Sequence, residues 1–590
     1  MFIFDSQSEF FRSPQGGVKE DKPLTLKVYV KKKYGTPIMR IDKRNDYNCN
    51  LYKEIPMKWV GTEKSHDLYE ASFAINEAGS YFYYFIFDES NLSPNYELLV
   101  YNKNFTTPNW IKGGIIYHIF VDRFYRSYTL SKDSDIIIRD DWGGIPNYLP
   151  IEGEIKNNDY FGGNLEGIKA KLPYLSELGI TAIYLSPVFE AYSNHKYDVG
   201  DYLSIDPMFG NEQSFIELVT EAKNYGMSII LDGVFSHTGV DSVYFNKYGH
   251  YNSTGAYQSQ NSFYFDWYMF NNWNNDYACW WGIKTLPTIN KESKSYIDFI
   301  TGENGVLKYW QKRGVKGWRL DVADELPNEF LKALRIASKN KDSESFIAGE
   351  VWEDATDKFS YGKLKEYFCG EQLDSVTNYP LRSAIIKYIE NKDCEMLNRT
   401  MGFIIEKYPP QTVNCLMNIL GTHDTVRILT VLGCTEIPES KHKKAEYKLS
   451  IEELKKGTAL LKIASLLQFT LPGIPCIYYG DEAGVEGFED PFNRRCFPWG
   501  HENNEILNHY KMLSQLRKYS VFDEGKYKCL THDEGVFIFE RYDKNKNIII
   551  ATNLSDKTIT LNFSSPKKDY LLKISNNSFD LDSNKFLILI

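Results

Sequence analysis

The sequence has no long hydrophobic run, no cluster of basic residues and no ordered cysteine pattern. No stretch of the 590 residues approaches the ~18 consecutive apolar residues of a membrane-spanning helix. The 68 Lys and Arg residues are outnumbered by 78 Asp and Glu, which gives a net charge of −10 without a phosphate-binding stripe. The 9 cysteines are scattered, with neither a CxxC pair nor a metal-type spacing. We therefore expect no membrane partner, no nucleic-acid partner and no disulfide framework.

The amino-terminal residues bear on the compartment. The start, MFIFDSQSEFFRSPQGG, lacks the basic and then apolar regions of a secretory signal peptide. Together with the scattered thiols this predicts a cytoplasmic protein, with a secreted form whose signal peptide has been removed as the alternative. The composition, 43 % hydrophobic and 25 % charged, is that of a folded globular chain.

Three segments of the chain differ in pattern. Residues 1–108 carry short alternating apolar runs between Leu24 and Tyr101, which predicts an N-terminal β-sandwich domain. Residues 109–506 alternate short apolar strands with helical stretches, the pattern of a parallel sheet with helical crossovers. Residues 507–590 contain one helix and then alternating strands, which predicts a C-terminal β-sandwich domain.

The middle segment contains enough strand candidates for an α/β fold of the (β/α)8 TIM-barrel type. A long insertion, 236–290, follows the third strand and is dense in aromatic residues. Loops of this length inside a compact fold are usually functional, and aromatic rings stack on sugar rings as well as fill cores. The predicted strands are Ile115–Phe120, Ala182–Ser186, Ser228–Val234, Gly317–Asp321, Phe346–Val351, Ser375–Asn378, Asn418–Gly421 and Ile474–Tyr479.

Acidic residues stand at the ends of several predicted barrel strands. Asp232 closes the third strand, Asp321 the fourth and Glu350 the fifth, and Asp424 follows the seventh. In a barrel the carboxyl ends of the strands surround one mouth, where active sites lie. An isolated carboxylate in such a loop is usually a solvated group or half of an ion pair. The joint placement of these acids instead predicts one shared pocket.

Paired carboxyls are what a retaining glycosidase requires. One acts as an ionised nucleophile and the other as a protonated acid, about 5–5.5 Å apart. Close carboxylates repel, so at least one has a raised pKa unless a cation intervenes. Arg319 lies two residues before Asp321 and therefore faces the same way in a strand. We expect its guanidinium to keep Asp321 ionised as nucleophile, with Glu350 as acid and base and with His237 and His423 nearby.

The motifs around these residues resemble the α-amylase superfamily, glycoside hydrolase family 13. Within it they resemble the neopullulanase, cyclomaltodextrinase and maltogenic amylase group, which also has an N-terminal sandwich. The similarity runs through nearly all of the chain. Its motifs are IYHIFVDRF near Ile116, SNHKYDVGDYLSIDPMFG (Ser193 to Gly210), DGVFSH (Asp232 to His237), GWRLDVADE (Gly317 to Glu325), GEVW (Gly349 to Trp352), THD (Thr422 to Asp424) and DPFNR (Asp490 to Arg494).

The resemblance implies a role for each matching residue. Asp321 would form a β-glycosyl-enzyme ester, Glu350 would act as general acid and then base, and Asp424 would stabilise the transition state through the hydroxyls of the −1 sugar. Tyr197 would be the stacking platform of that subsite. The residues implied to bind substrate are His195, Tyr197, Asp232, His237, Arg319, Trp352, His423, Asp490 and Arg494.

Four positions depart from the subgroup pattern. Ser236 stands where Asn is usual, Thr288 where Lys is usual, Asp324 in place of the Asn of VANE, and Glu353 in place of a His. The resemblance implies that the last three lie where acceptor sugars bind. Substrate preference and the balance between hydrolysis and transglycosylation therefore stay open.

The resemblance implies no required cofactor and no catalytic metal. Family members often hold a structural calcium ion with an Asn/Asp-rich loop after strand one and a GGD segment. Here the loop reads RSYTLSKDSD (Arg126 to Asp135) and the segment FGGNL, with Gly162 and Asn164. Calcium prefers several oxygen ligands, commonly charged ones. A calcium ion near Gly162 and Asn164 is an alternative to a metal-free site.

The predicted activity is retaining hydrolysis of α-1,4 bonds in maltooligosaccharides, cyclodextrins, pullulan or starch. An enzyme acting mainly by α-1,6 cleavage or glucan transfer is the alternative. A non-catalytic carbohydrate-binding relative is disfavoured because Asp321 and Glu350 are both carboxylates. The resemblance further implies a homodimer in which the N-terminal sandwich helps wall the partner's active site. A separate starch-binding module is the alternative for that domain.

Overall fold

A barrel of parallel strands lies at the centre of the computed structural model, which describes residues 1–128, 136–150 and 155–590. The strands are short, and their residues are buried because helices cover the outer face. A parallel bridge between Thr377 and Met417 joins the sixth strand to the seventh and closes the ring. The TIM-barrel prediction is confirmed. In the described residues the 8 strands are Ile116–Ile119, Ala182–Leu185, Ser228–Gly233, Gly317–Leu320, Phe346–Gly349, Ser375–Val376, Met417–Ile419 and Ile474–Tyr478.

Backbone pairing between neighbouring barrel strands aligns the strand ends that carry the acidic residues. Arg319 pairs in register with Asp232 on one side and with Ala348 on the other. The Asp321 amide donates to the Gly233 carbonyl (3.1 Å), and the Glu350 amide donates to the Leu320 carbonyl (2.9 Å). Backbone hydrogen bonds therefore fix the acids at neighbouring points of one rim.

Helices surround the barrel and pack their apolar residues against it. The longest, Ile451–Thr470, begins with a capping box between Ser450 and Glu453. The described helices are Leu165–Ala170, Leu172–Glu177, Glu212–Asn224, Lys294–Thr301, Val306–Lys312, Asn328–Lys341, Tyr379–Asn391, Cys394–Lys407, Pro410–Val413, Ile428–Gly433, Lys441–Glu446, Ile451–Thr470 and Asn504–Leu516. Within the described ranges, none of them is long and apolar enough to cross a bilayer.

The N-terminal residues form two antiparallel sheets that enclose an apolar core, as the alternation predicts. The aromatic strand Gly79–Asp88 turns Tyr81, Tyr83 and Phe85 into this core. One sheet contains Phe2–Ile3, Arg12–Ser13, Leu24–Lys31, Lys58–Glu63 and His66–Phe73; the other contains Val18–Lys19, Ile38–Arg44, Cys49–Pro56, Gly79–Asp88, Asn91–Leu92 and Tyr96–Tyr101.

The C-terminal residues form a sheet and a separate hairpin. The helix Asn504–Leu516 precedes them, so the predicted boundary at residue 507 falls inside its first turn. Buried aliphatic residues such as Ile538 and Leu581 pack between sheet and hairpin. The sheet contains Lys526–Asp533, Val536–Tyr542, Asn547–Asn553 and Lys585–Leu589, and the hairpin contains Ile559–Lys568 and Ser575–Leu581.

The insertion after the third strand is mostly irregular and folds back on the barrel. Its aromatic residues divide into two groups. Trp267, in the 3-10 turn Phe265–Trp267, is fully buried against Tyr296. Trp280 and Trp281, in the turn Trp280–Gly282, lie stacked on one another with ring centroids 5.4 Å apart. The insertion therefore supplies both core packing and an exposed aromatic surface.

A buried arginine joins the N-terminal domain to the barrel. Arg12 is inaccessible to solvent, and its guanidinium donates to the carbonyls of Glu406 (2.7 Å) and Gly16 (2.9 Å). Glu406 belongs to the helix Cys394–Lys407 on the outside of the barrel. Hydrogen bonds to a charged donor are among the stronger ones, so this contact holds the two units together.

Replacing this arginine should destabilise the protein. We expect Arg12→Ala to lower the free energy of unfolding by about 3 kcal/mol, because two carbonyls lose a charged donor. Urea unfolding followed by circular dichroism measures the change. Arg399→Ala is the matched control. Arg399 lies on the helix Cys394–Lys407, as Glu406 does, and its ion pair with Glu395 is exposed. If the two variants lowered the free energy of unfolding equally, the Arg12 contact would contribute no more than an exposed ion pair.

Candidate active site

The carboxyl ends of the barrel strands open into a cavity of about 840 Å³. Nearly all of the residues implied by the resemblance lie on its wall. Those lining it are His195, Tyr197, His237, Asp321, Glu350, Trp352, His423, Asp424, Asp490 and Arg494. Asp232 and Arg319 are not on the wall but are buried beneath it, hydrogen-bonded to groups that are. The sequence prediction therefore names one contiguous site.

Arg319 is the cation at the base of this site. Its Nη1 lies 2.8 Å from Asp232 and 3.0 Å from Asp321, and its Nη2 lies 2.9 Å from Glu350. All these side chains are almost completely buried. One guanidinium thus binds three carboxylates, which fixes their orientation relative to each other.

Asp232 is saturated by hydrogen bonds and does not face the cavity. Besides Arg319, it accepts from the hydroxyls of Tyr184 (2.5 Å) and Tyr197 (2.9 Å). The Tyr197 hydroxyl also lies 2.7 Å from His423 Nε2, and the Tyr197 ring stacks on the His423 ring. Asp232 therefore orients Tyr197 rather than acting on a ligand directly.

Backbone strain helps to place Glu350. Val322, the residue after Asp321, has φ of 40° and ψ of 59°, a left-handed conformation that a β-branched residue rarely adopts. In this conformation its amide donates to Glu350 Oε2 at 2.9 Å. The other oxygen, Oε1, accepts the longer 3.3 Å bond from Trp352 Nε1. Oε2 is thus held by two donors, and Oε1 is the less constrained oxygen.

A second cluster lies beside the first. Asp424 Oδ2 is 3.1 Å from His423 Nε2, and its Oδ1 is 3.8 Å from Arg494. Arg494 also pairs with Asp490 at 3.0 Å and donates from Nε to the His423 carbonyl. Asp490 and Arg494 form the pair implied by the resemblance. They place a cation and carboxylate oxygens at the same end of the cavity.

The histidines of the site are neutral at ordinary pH. Burial lowers the pKa of His195 and of His423 well below the usual range, and the Arg494 cation acts in the same direction. Burial also lowers the pKa of His237 to about 4. His237 is oriented by Ser236 (3.0 Å), one of the departures from the family pattern. These rings therefore add no charge to the site, and both nitrogens of His237 are already paired, with Ser236 and with the Tyr197 carbonyl.

The carboxyls show upward pKa shifts. Burial raises the pKa of Asp321 well above its usual range, Arg319 opposes the shift, and Glu350 adds to it. Asp424 keeps 33 % of its side chain exposed; even so, partial burial and the Glu350 charge raise its pKa to about 7. Arg319 contacts Asp321 as expected, but burial and the neighbouring Glu350 outweigh it, so the net shift in the pKa of Asp321 is upward and not downward as predicted. Because these carboxyls interact, each one's pKa depends on the protonation of its neighbours.

The far end of the cavity brings two of the departures from the family pattern together around a lysine that the sequence did not indicate. Asp324 and Glu353, two of the departures from the family pattern, both pair with Lys358; the Asp324 contact is 2.9 Å. Tyr184, Lys358 and Tyr361 were missed. Tyr184 could have been recognised, because it pairs in register with Ile230, which stands two residues before Asp232. No local pattern marks the other two, which lie in a loop.

Comparison with known proteins identifies the family. The α-amylase family, described as "Alpha amylase, catalytic domain", matches residues 118–535. The chain belongs to the α-amylase family. Relatives of this α-amylase family member carry the names cyclomaltodextrinase, maltogenic α-amylase and neopullulanase, which confirms the predicted resemblance.

Two relatives and one solved structure define the extent of the similarity. The amylopullulanase of Thermoanaerobacterium thermosulfurigenes is 34 % identical over 656 residues, covering 99 % of this chain and 34 % of that protein. The cyclomaltodextrinase of Thermoanaerobacter pseudethanolicus is 32 % identical over 581 residues, 91 % of each. The type III pullulan hydrolase from Thermococcus kodakarensis, at 24 % identity, shares the fold over 100 % of both chains with a TM-score of 0.71. The chain spans 34 % to 50 % of the amylopullulanases it matches.

The position suggested for calcium in this α-amylase family member fits a hard cation poorly. Asn164 Oδ1 accepts from Ser127 (2.8 Å) and Gly167 (2.8 Å), and its amide group donates to the Gly162 carbonyl. Throughout the described ranges, no group of 3 or more His, Cys, Asp or Glu side chains is arranged to hold a metal ion. Residues 129–135 of the loop named for calcium lie outside the described residues.

Removing the cation beside Asp424 should raise the pKa of that carboxyl further. Arg494 opposes the upward shift, so we expect Arg494→Met to raise the pKa of Asp424 from about 7 by about one unit. Infrared titration of the carboxyl band measures it, with Asp424→Asn identifying the signal. Arg313→Met, which removes an arginine paired with Glu212 outside the site, is the control. An unchanged pKa would contradict the Arg494 contact.

Proposed function

We propose that this protein is a retaining α-glucan hydrolase that cleaves α-1,4-glucosidic bonds by double displacement. The supporting observation is the arrangement of Asp321 and Glu350, which are bridged by Arg319 and line one cavity. A retaining glycosidase needs two carboxyls on the same sugar, one ionised and one protonated. A non-catalytic binding protein would need neither.

In the first step Asp321 attacks the anomeric carbon and the glycosidic C–O bond breaks. The leaving oxygen takes the proton from Glu350. Glu350 Oε1 is suited to this transfer because Oε2 is already held by the Val322 amide and Arg319. The step requires Asp321 to be the ionised carboxyl and Glu350 the protonated one. The product of the step is a β-glycosyl ester of Asp321.

In the second step water attacks the same carbon, and Glu350 takes the proton that the water loses. The C–O bond to Asp321 breaks, and the sugar is released with its original anomeric configuration. Positive charge develops on the ring in both transition states. Asp424 lies beside the site to bond the sugar hydroxyls, and the neutral His195, His237 and His423 complete that shell.

The remaining site residues hold the ring at the −1 position. Tyr197 offers its ring for stacking, held by Asp232 and His423. Asp490 and Arg494 close the end of the cavity and bond the outer hydroxyls. We propose that hydrolysis needs no cofactor, because the two carboxyls supply the nucleophile and the proton.

The proposed substrates are maltooligosaccharides, cyclodextrins, pullulan and starch. Relatives named amylopullulanase and cyclomaltodextrinase support this range. Trp280, Trp281 and Tyr361 line the cavity and provide aromatic faces for further sugar rings. Action mainly on α-1,6 bonds or mainly by transfer is the alternative outcome.

We also propose a homodimer in a reducing, cytoplasmic compartment. The N-terminal domain exposes Leu51, Trp59 and Val60, apolar side chains of the kind that subunit contacts cover. All 9 cysteines lie in described residues and are free thiols, and several are buried. Free thiols favour a compartment in which disulfides do not form.

Two substrates with different leaving groups distinguish the roles of Asp321 and Glu350. We expect Asp321→Asn to lose at least about three orders of magnitude in kcat/KM on every substrate, because the covalent step is removed. Glu350→Gln should lose as much on maltohexaose but far less on α-maltotriosyl fluoride, because fluoride departs without a proton. Glu212→Gln, which changes a carboxylate paired with Arg313 outside the site, is the matched control.

Two outcomes would overturn this assignment. One is Asp321→Asn retaining more than about a hundredth of the activity. The other is Glu350→Gln losing equal activity on maltohexaose and on the fluoride. Circular dichroism and maltotriose binding confirm in each case that the variant is folded.

The substrate class is tested by the products from β-cyclodextrin, pullulan and soluble starch, incubated in parallel with an Asp321→Asn control. We expect cyclodextrin turnover to exceed starch turnover and pullulan to yield panose, since in the proposed homodimer the N-terminal domain would restrict access to small glucans. Starch preferred over cyclodextrin would indicate an open cleft. No product from any of the three would contradict the proposed function.

A further inference from the structure

A short hairpin forms the far wall of the cavity. It comprises residues 357–364, with strands Phe359–Ser360 and Lys363–Leu364 joined by a turn. Tyr361 and Gly362 in the turn both have positive φ. Lys358, Ser360 and Tyr361 line the cavity, and Tyr361 is 77 % exposed. We call these residues the wall hairpin.

The N-terminal domain of the same chain contacts this hairpin. The contact comes from the loop after the strand Ile38–Arg44. Asp46 accepts from Lys363 Nζ (2.7 Å) and from the Leu364 amide (3.0 Å), so it holds both side chain and backbone of the second hairpin strand. A hydrogen bond from a backbone amide to a carboxylate is charge-assisted, and it fixes the position of the hairpin backbone.

Arg44 holds the beginning of the hairpin. Its buried guanidinium pairs with Asp357, and its Cζ lies 4.4 Å from the Phe82 ring and 5.9 Å from the Phe359 ring. Only 7 % of the Arg44 side chain is exposed. The Asp357 side chain is 41 % exposed, so solvent partly screens the charges, and the contact fixes the position of the hairpin more than it adds stability.

Lys358, the residue after Asp357, lines the cavity and connects this contact to it. Lys358 pairs with Asp324 at 2.9 Å and with Glu353, and Asp324 also accepts from the Tyr367 hydroxyl at 2.6 Å. Asp357 and Lys358 are adjacent, so the N-terminal contact and the cavity contact meet at one peptide. A shift of the hairpin would move Lys358 relative to both acids.

This end of the cavity receives the leaving group. Glu350 protonates the departing oxygen, and Trp352 and Glu353 stand two and three residues after it in the chain. The −1 ring is held at the other end, where Asp424 and Arg494 lie close together. The sugars beyond the cleaved bond therefore bind beside the wall hairpin.

We propose that the N-terminal domain positions the leaving-group wall of the active site in its own chain, through Arg44 and Asp46, and so determines how firmly the sugars beyond the cleaved bond are held. Arg44 and Asp46 do not line the cavity and are positioning residues. The inference rests on the proposed function. It assigns the domain a role within one chain that does not depend on a second subunit.

The test compares two substrates that share the −1 side. Maltohexaose places sugars against the wall hairpin, whereas α-maltotriosyl fluoride places only a fluoride there. We expect Asp46→Ala and Arg44→Met each to lower kcat/KM for maltohexaose about fivefold, because a positioning contact of this kind is lost. We expect kcat/KM for the fluoride to stay within twofold of the unaltered protein, and Asp46→Asn to recover part of the loss.

Glu70→Gln is the matched control, because it removes an exposed carboxylate that pairs with Lys27 in the same domain. Equal losses on both substrates, or no loss on either, would overturn the inference. Asp46→Ala decides the matter if Arg44→Met fails to fold, since Asp46 is partly exposed. If the unaltered protein cleaves neither substrate, it is the proposed function that fails.

Discussion

The arrangement of the site depends on one guanidinium in the barrel. Arg319 projects from the fourth strand and binds Asp232, Asp321 and Glu350, which come from three different strands. Without a cation these buried carboxylates would repel each other and take up protons. With it they stay close, although burial still raises the pKa of Asp321. The same interaction therefore fixes the geometry of the carboxyl cluster.

The barrel makes this interaction possible because parallel register is fixed by backbone hydrogen bonds. The pairing of Arg319 with Asp232 across adjacent strands brings their side chains to one level. The strained Val322 then directs an amide at Glu350. A β-branched residue in a left-handed conformation persists only when its surroundings hold it there, and here the neighbouring strand and the ion cluster do so.

Much of this could be predicted from sequence, because strand ends in a barrel converge whatever the loops do. The eight strands and the placement of Asp321, Glu350 and Asp424 at one rim follow from short apolar runs and what comes after each. The aromatic insertion could not be resolved in this way. Trp267 packs in the core and Trp281 lines the cavity, although both lie in similar aromatic stretches. Their difference arises from how an irregular loop folds back, which no periodicity records.

The departures from the family pattern acquire a physical explanation only in three dimensions. Asp324 and Glu353 would repel across the cavity, and Lys358, from a loop with no recognisable motif, compensates both. That lysine is held in place because Asp357, before it, pairs with Arg44 of the N-terminal domain. A change of charge at the leaving-group end is thus coupled to a contact between domains. The wall hairpin is held by contacts within one chain, so its position does not by itself require a partner subunit.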